Sequence, residues 1–126
     1  MGSIIGAIRE SSLLVVCAPV YTNTVPGGLK LLIDRCQAYH AERALSGGRT
    51  GQHGLIFSVA GRKGEENFTC VTHVISAFLR NLGITPAGEI LIDRIDSVKD
   101  IRTIAGMEDS VRKKVKHYLI MNKITI

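Results

Sequence analysis

Along this chain of 126 residues the apolar positions follow two rhythms. Residues 12–18 (SLLVVCA), 54–60 (GLIFSVA) and 87–95 (AGEILIDRI) are short apolar runs of strand length. The first two are continuous rather than alternating, as strands covered on both faces are, and so they predict a parallel sheet. Between the runs, apolar residues recur every three or four positions. Leu29, Leu32, Ile33 and Cys36 form the core-facing stripe of a helix that begins near Pro26, a residue suited to a first helical turn, and runs to about His40. Phe68, Val71, Ile75, Phe78 and Leu82 form the inner face of a second helix, from about Glu65 to Leu82, with Gly83 as its stop. A last helix covers about 104–119, and residues 4–10 are a short helix end with Ile4 or Ile5 and Ile8 on one side. Strands alternating with helices of this length imply β-α-β units with right-handed crossovers, here as a single α/β domain over residues 1–126. The stretch ALSGGRTGQHG, with Gly47, Gly48 and Gly51, matches no phosphate cradle and reads as a flexible connection.

Composition narrows the class. A chain with 45% hydrophobic and 21% charged residues has the makings of a packed core, which excludes a disordered tail. No apolar run approaches the ~20 residues that span a bilayer. The run from Leu13 to Ala18 is too short for a signal peptide and is flanked by Glu10 and by Pro19-Val20-Tyr21. Gly6 stands where an N-myristoylation signal needs Ser or Thr. The net charge of +5 gathers near the C-terminal end, in Arg112, Lys113, Lys114, Lys116 and Lys123. There Val111, Val115, Tyr118 and Leu119 keep helical spacing, so the basic groups form a solvated outer face; the aromatic interleaving of a nucleic-acid surface is missing. Cys17, Cys36 and Cys70 form no C-x-x-C pair and sit in apolar stretches, which reads as buried, reduced thiols in a cytoplasmic protein. The four His lack metal-ligand spacing, so no metal site is expected.

Ligands of open parallel sheets sit beyond the carboxyl ends of the strands, which selects the loops 19–25 and 60–66. The stretch APVYTNTVPGGLK carries no Cys/His pair, no paired carboxylates and no Walker-type lysine. Its Pro, Asn, Thr and Gly serve any strand-to-helix turn.

Ala18-Pro19-Val20-Tyr21, the polar loop Thr22-Asn23-Thr24-Val25-Pro26, then Gly28-Leu29-Lys30 and Ile33-Asp34-Arg35 resemble, in order and spacing, the flavodoxin-like NAD(P)H-dependent FMN reductases, including their iron–sulfur flavoprotein branch. LIFSVAG resembles the family's next strand and its glycine-containing loop. The resemblance implies a flavodoxin-like three-layer sandwich and an oxidoreductase that passes hydride from NAD(P)H to FMN, then to a quinone, metal or protein acceptor. It implies that Pro19, Tyr21, Thr22, Asn23 and Thr24 lie along the isoalloxazine ring, and that Ala60, Gly61 and Gly64 approach its polar edge. Arg62 and Lys63 face either a cofactor phosphate, the flavin O2 or solvent.

The family sheet has five strands in the order 2-1-3-4-5, and the strands of this chain resemble 3, 4 and 5. The loop that holds the FMN phosphate, and the cysteine cluster of the iron–sulfur branch, belong to the part without a counterpart here. Met1, with Ile4 or Ile5 and Ile8, fits the register of an internal methionine of that family, so the chain is expected to be truncated at its N-terminus. Losing about three charge-assisted phosphate contacts, at ~1.5–3 kcal/mol each, lowers FMN affinity by about three decades or more. Residues 12–18 then become an exposed edge with the pattern of a central strand. Such an edge seeks a partner strand, from a homodimer or from a complementing N-terminal chain. The competing expectation is a non-catalytic interaction or assembly module that keeps the scaffold without the cofactor. A stand-alone nucleotide-binding domain is a weaker alternative, because no Gly-rich phosphate loop follows a strand.

Overall fold

A computed structural model describes residues 2–46 and 50–125; the expectations for Met1, Gly47 and Gly48 fall outside the described residues. In chain order the elements are α1 (Gly2–Glu10), β1 (Leu13–Pro19), α2 (Gly27–Arg35), α3 (Gln37–Ser46) and β2 (His53–Val59). A 3₁₀ turn (Glu65–Phe68) then leads into α4 (Thr69–Asn81), followed by β3 (Thr85–Ile92), α5 (Val98–Thr103) and α6 (Met107–Met121). Among the described residues the sheet has three strands in the order β1-β2-β3, and both pairings are parallel. β1 and β2 run in register from Leu13 opposite His53 to Pro19 opposite Val59. Between β2 and β3 the register slips at Gly54/Leu55, beside Pro86, which has no N–H to donate to a ladder.

The two faces of the sheet are covered unequally. On one face Val16, Ala18 and Ile56 pack against Ile5 of α1, Ile33 of α2, Cys36 and the stripe Val71, Ile75, Phe78 and Leu79 of α4. Helix and strand approach so closely there that a Cβ at Gly54 would stand 2.6 Å from Leu79 Cδ1. The buried Ser58 hydroxyl donates to Ala18 O at 2.7 Å, so this core holds a polar group without leaving it unpaired. Gln52, also buried, donates to the carbonyls of Ile8 and Ser11 and fixes the end of α1 onto the sheet.

On the other face α6 covers β3. The ring of Tyr118 lies where a Cβ at Gly88 would be, its hydroxyl donates to Glu89 O at 2.9 Å, and Asn122 donates to Ala87 O at 3.2 Å. Gly88 is the partner of Leu55, and Leu55 of Val15, so the three share that face. Toward β1 the cover gives out: Val15 is 47% exposed and Cys17 is exposed. This corrects the expectation that residues 12–18 are covered on both faces. It also corrects the expected burial of all three thiols. Cys17 belongs to the bare side of an edge strand, and Cys70 lies in the first turn of α4, off its buried stripe, so only Cys36 is buried.

Local chemistry explains where elements depart from the sequence pattern. The helix expected from Pro26 to about His40 is two helices, because the Cys36 N–H is shared between Leu32 O and Ile33 O, each at 3.1 Å, which tightens the turn. The second expected helix opens with a 3₁₀ turn before α4, and Gly83, at φ +79, ends it as expected. Ile84 N–H reaches Leu79 O and Gly83 N–H reaches Arg80 O, both at 2.9 Å, the paired bonds of a Schellman stop. β3 ends at Ile92 rather than 95, because Arg94 adopts φ +58, a conformation that leaves the strand. The last helix, expected over about 104–119, is α6 beginning after Gly106 (φ +73), and α5, started by a Ser97/Asp100 capping box, precedes it as a helix that the sequence pattern does not predict.

Candidate functional site

Three loops meet beyond the carboxyl ends of the strands. The first follows β1. Val20 N–H continues the ladder to Val59 O at 2.8 Å, and then the chain reverses within four residues. Tyr21 and Thr24 exchange N–H···O bonds of 2.9 and 3.0 Å, around Thr22 at φ +47 and Asn23 at φ +62. Two successive left-handed residues inside such a pair make a type I′ turn. Asparagine tolerates that conformation, whereas β-branched threonine is strained in it. Val25, 3% exposed, anchors the exit of the turn in the core, and Pro26 precedes α2.

The second loop follows β2 and is tied to the third, which follows β3. Ala60 N–H donates to Ile92 O at 3.0 Å and Ala60 O accepts from Ile95 N–H at 2.9 Å. Gly64 N–H donates to Asp93 Oδ2 at 2.9 Å. The Asn67 amide donates to Lys63 O at 3.0 Å and to Gly64 O at 2.8 Å, bracing the loop from inside. In the third loop Asp96 N–H and Ser97 N–H both donate to Asp100 Oδ2, at 2.9 and 2.7 Å. These two bonds hold the Asp100 carboxyl below the usual aspartate range, since they favour its ionised form.

Together the loops enclose a cleft of about 450 Å³. Val20, Thr22 and Asn23 line it from the first loop; Ala60, Gly61 and Arg62 line it from the second, and Asn67 and Asp96 complete it. Four residues singled out from the sequence thus share its lining: Thr22, Asn23, Ala60 and Gly61. The other four stand outside it. Pro19 ends β1, Tyr21 is 62% exposed beside the turn, Thr24 closes the turn, and Gly64 (φ +117) bends the chain into the 3₁₀ turn. Val20, Asn67 and Asp96 were missed. The capping box after Asp96 was a legible sign of a loop at that point, but nothing in the sequence brought that loop to the other two.

The cleft offers hydrogen-bond donors in excess. Among the described residues, the backbone N–H groups of Thr22, Asn23, Gly61 and Arg62 have no hydrogen-bond partner. Neither the Arg62 guanidinium nor the Asp96 carboxylate forms an ion pair there. No group of three or more His, Cys, Asp or Glu suited to a metal ion occurs among the described residues. No described helix is long and apolar enough to cross a membrane. Such a site has the donors to bind and orient a polar ligand of moderate size.

A family model described as NADPH-dependent FMN reductase matches residues 1–95. No curated protein matches the chain. Among solved structures, the Trp repressor binding protein from Bacillus subtilis is similar with a TM-score of 0.65 and 19% identity, over 88% of this chain and 69% of that one. The apo form of an NADH:FMN oxidoreductase is similar with a TM-score of 0.64 and 13% identity, over 95% of this chain and 58% of that one. A thermophilic tryptophan halogenase from Streptomycin violaceusniger gives 0.62 and 16%, over 94% of this chain and 72% of that one. At these identities the likeness shows the fold, and the fold is the flavodoxin-like α/β architecture expected from the sequence.

Proposed function

The chain belongs to the NADPH-dependent FMN reductase family, whose model matches residues 1–95, and from that premise we propose that its three-loop cleft holds the ring of FMN. Membership supports a flavin-related oxidoreductase that uses a nicotinamide cofactor. The reaction we assign is hydride transfer from NADH or NADPH to FMN, with the electrons passed on to a quinone, metal or protein acceptor. FMN supplies the ring that accepts hydride and releases electrons singly or in pairs. The protein's part is to bind and orient that ring. The Thr22 and Asn23 amides and side chains donate from one loop, and the Gly61 and Arg62 amides donate from the other, beside Ala60. Pro19 and Tyr21, outside the cleft lining itself, add flat apolar surface beside it, Thr24 closes the turn that presents Thr22 and Asn23, and Gly64 shapes the second loop.

The observation that carries this reading is the set of unpartnered amides on two loops at the strand ends, with no metal group or nucleophile–base pair in the lining. The test is a titration of the purified protein with FMN, followed by the quenching of flavin fluorescence. Saturable quenching is expected, together with FMN-dependent oxidation of NADH or NADPH in the presence of a quinone. No saturation with FMN overturns the reading.

One observation favours a second reading. β1 has a free edge and a bare face among the described residues, and an all-parallel sheet is normally covered on both faces. We place a partner there, either a second copy or a separate polypeptide that contributes a strand. In a chain without FMN that contact is the function, and the protein is a cytoplasmic interaction module of one flavodoxin-like domain.

A further inference from the structure

Asp96 is the one carboxylate in the cleft lining, and its position is built. Its carboxylate lies directly over Gly61, so that a Cβ at position 61 would collide with Asp96 Oδ1. The main chain is held on both sides: Ile95 N–H donates to Ala60 O, and Asp96 N–H donates to Asp100 Oδ2, each at 2.9 Å. The carboxylate itself makes no hydrogen bond or ion pair among the described residues, although Arg62 lines the same cleft. The second loop has few free acceptors. Ala60 O is taken by Ile95, and the carbonyls of Arg62, Lys63 and Gly64 all accept from Asn67. What remains in the lining is one charged acceptor, the Asp96 carboxylate, with Gly61 O and the Asn67 side-chain oxygen as neutral ones, near the free Gly61 and Arg62 N–H groups and the Arg62 guanidinium.

Resting on the flavin reading above, we propose that the Asp96 carboxylate accepts the N3–H of the isoalloxazine ring and fixes which way round the ring lies. The pyrimidine edge of a flavin presents acceptor, donor, acceptor: O2, N3–H, O4. A donor–acceptor–donor arrangement is its complement. A phosphate, with acceptors only, is repelled by the same carboxylate, which argues against Arg62 as a phosphate ligand. Asp96 is therefore a positioning residue, and Gly61 is the space that lets it reach the ring.

The test uses the full chain and two probes, lumiflavin and 3-methyllumiflavin, the second lacking N3–H. Binding is read by flavin fluorescence quenching, without turnover. The wild-type protein is expected to bind lumiflavin roughly ten-fold or more tighter than the N3-methyl analogue, the range of a hydrogen bond to a charged group. In Asp96→Ala that preference collapses to about unity, and Asp96→Asn keeps part of it because an amide oxygen still accepts. Gly61→Ala, which displaces the carboxylate without removing it, lowers the preference as well and serves as an independent second variant. Equal binding of both probes by the wild type, or an undiminished preference in Asp96→Ala, overturns the Asp96 assignment and leaves the flavin reading standing. Failure of the wild type to bind lumiflavin at all overturns both. Uridine carries the same imide edge on a smaller ring and is expected not to compete; competition as strong as that of lumiflavin itself overturns the assignment to flavin.

Discussion

Thr22 holds φ +47, where a β-branched side chain crowds its own backbone, and the neighbouring Asn23 holds φ +62. A strained residue survives where its surroundings over-determine it, here by the two Tyr21–Thr24 bonds and the buried Val25. Thr22→Gly relieves the strain but loosens the unfolded chain, and the two effects leave a net gain of about 1 kcal/mol. Urea unfolding is expected to show a higher midpoint with an unchanged slope. If the strain presents the turn to the ring, the same variant binds FMN more weakly. A second residue-scale outcome concerns thiols. Cys17 and Cys70 are exposed, while Cys36 is buried and its thiol is pushed above its ordinary pKa by desolvation. A thiol reagent at neutral pH, with the protein diluted until it is monomeric, is expected to modify two cysteines of the native protein quickly, and the third only on unfolding.

At the scale of elements, helix identity was legible wherever a stripe met the core. Phe68, Val71, Ile75 and Phe78 are all buried as the spacing requires, and Leu29 and Leu32 pack on the core beside Ile33 and Cys36. Ends and breaks were less legible, because single bonds decide them: the shared Cys36 N–H, the left-handed Arg94, the capping box at Ser97. That box makes α5 sensitive to acid. Asp100 titrates lower in the folded protein than in the unfolded chain, so its stabilising contribution is complete above the unfolded value of about 4 and is lost as pH falls through the lower folded value. The stability difference between wild type and Asp100→Asn is expected to be constant near neutrality and to shrink below that range. Urea titrations at stepped pH measure it, and a difference that grows on acidification contradicts the capping role.

For the whole molecule the open question is the edge of β1. Natural edge strands are blunted by charge, proline or bulges, yet Leu14, Val15, Val16 and Cys17 carry none of these between Leu13 and Pro19. Light scattering is expected to show association at micromolar concentration, and Val15→Lys, at an exposed position, to shift the protein toward monomer with little loss of stability. Association should also slow the labelling of Cys17 but not of Cys70. A monomeric wild type with fast Cys17 labelling removes the case for a partner on this edge.

The sequence by itself determined the kinds of elements, their order and the parallel sheet, because burial periodicity is a property of each segment alone. It also marked the two loops that reach the cleft, through the strand-end position and the Pro-x-Tyr and glycine signals around them. Tertiary structure decided the rest. Whether an apolar run is covered depends on which helices reach it, which is why the run 12–18, expected from the sequence to be an edge, also has one face bare at Val15 and leaves Cys17 an exposed thiol. The cleft lining depends on three chain segments bonded to one another, Val20 to Val59, Ala60 to Ile92 and Ile95, and Gly64 to Asp93. Asp96 joined the site through those bonds, across a distance in sequence over which no local pattern carries information.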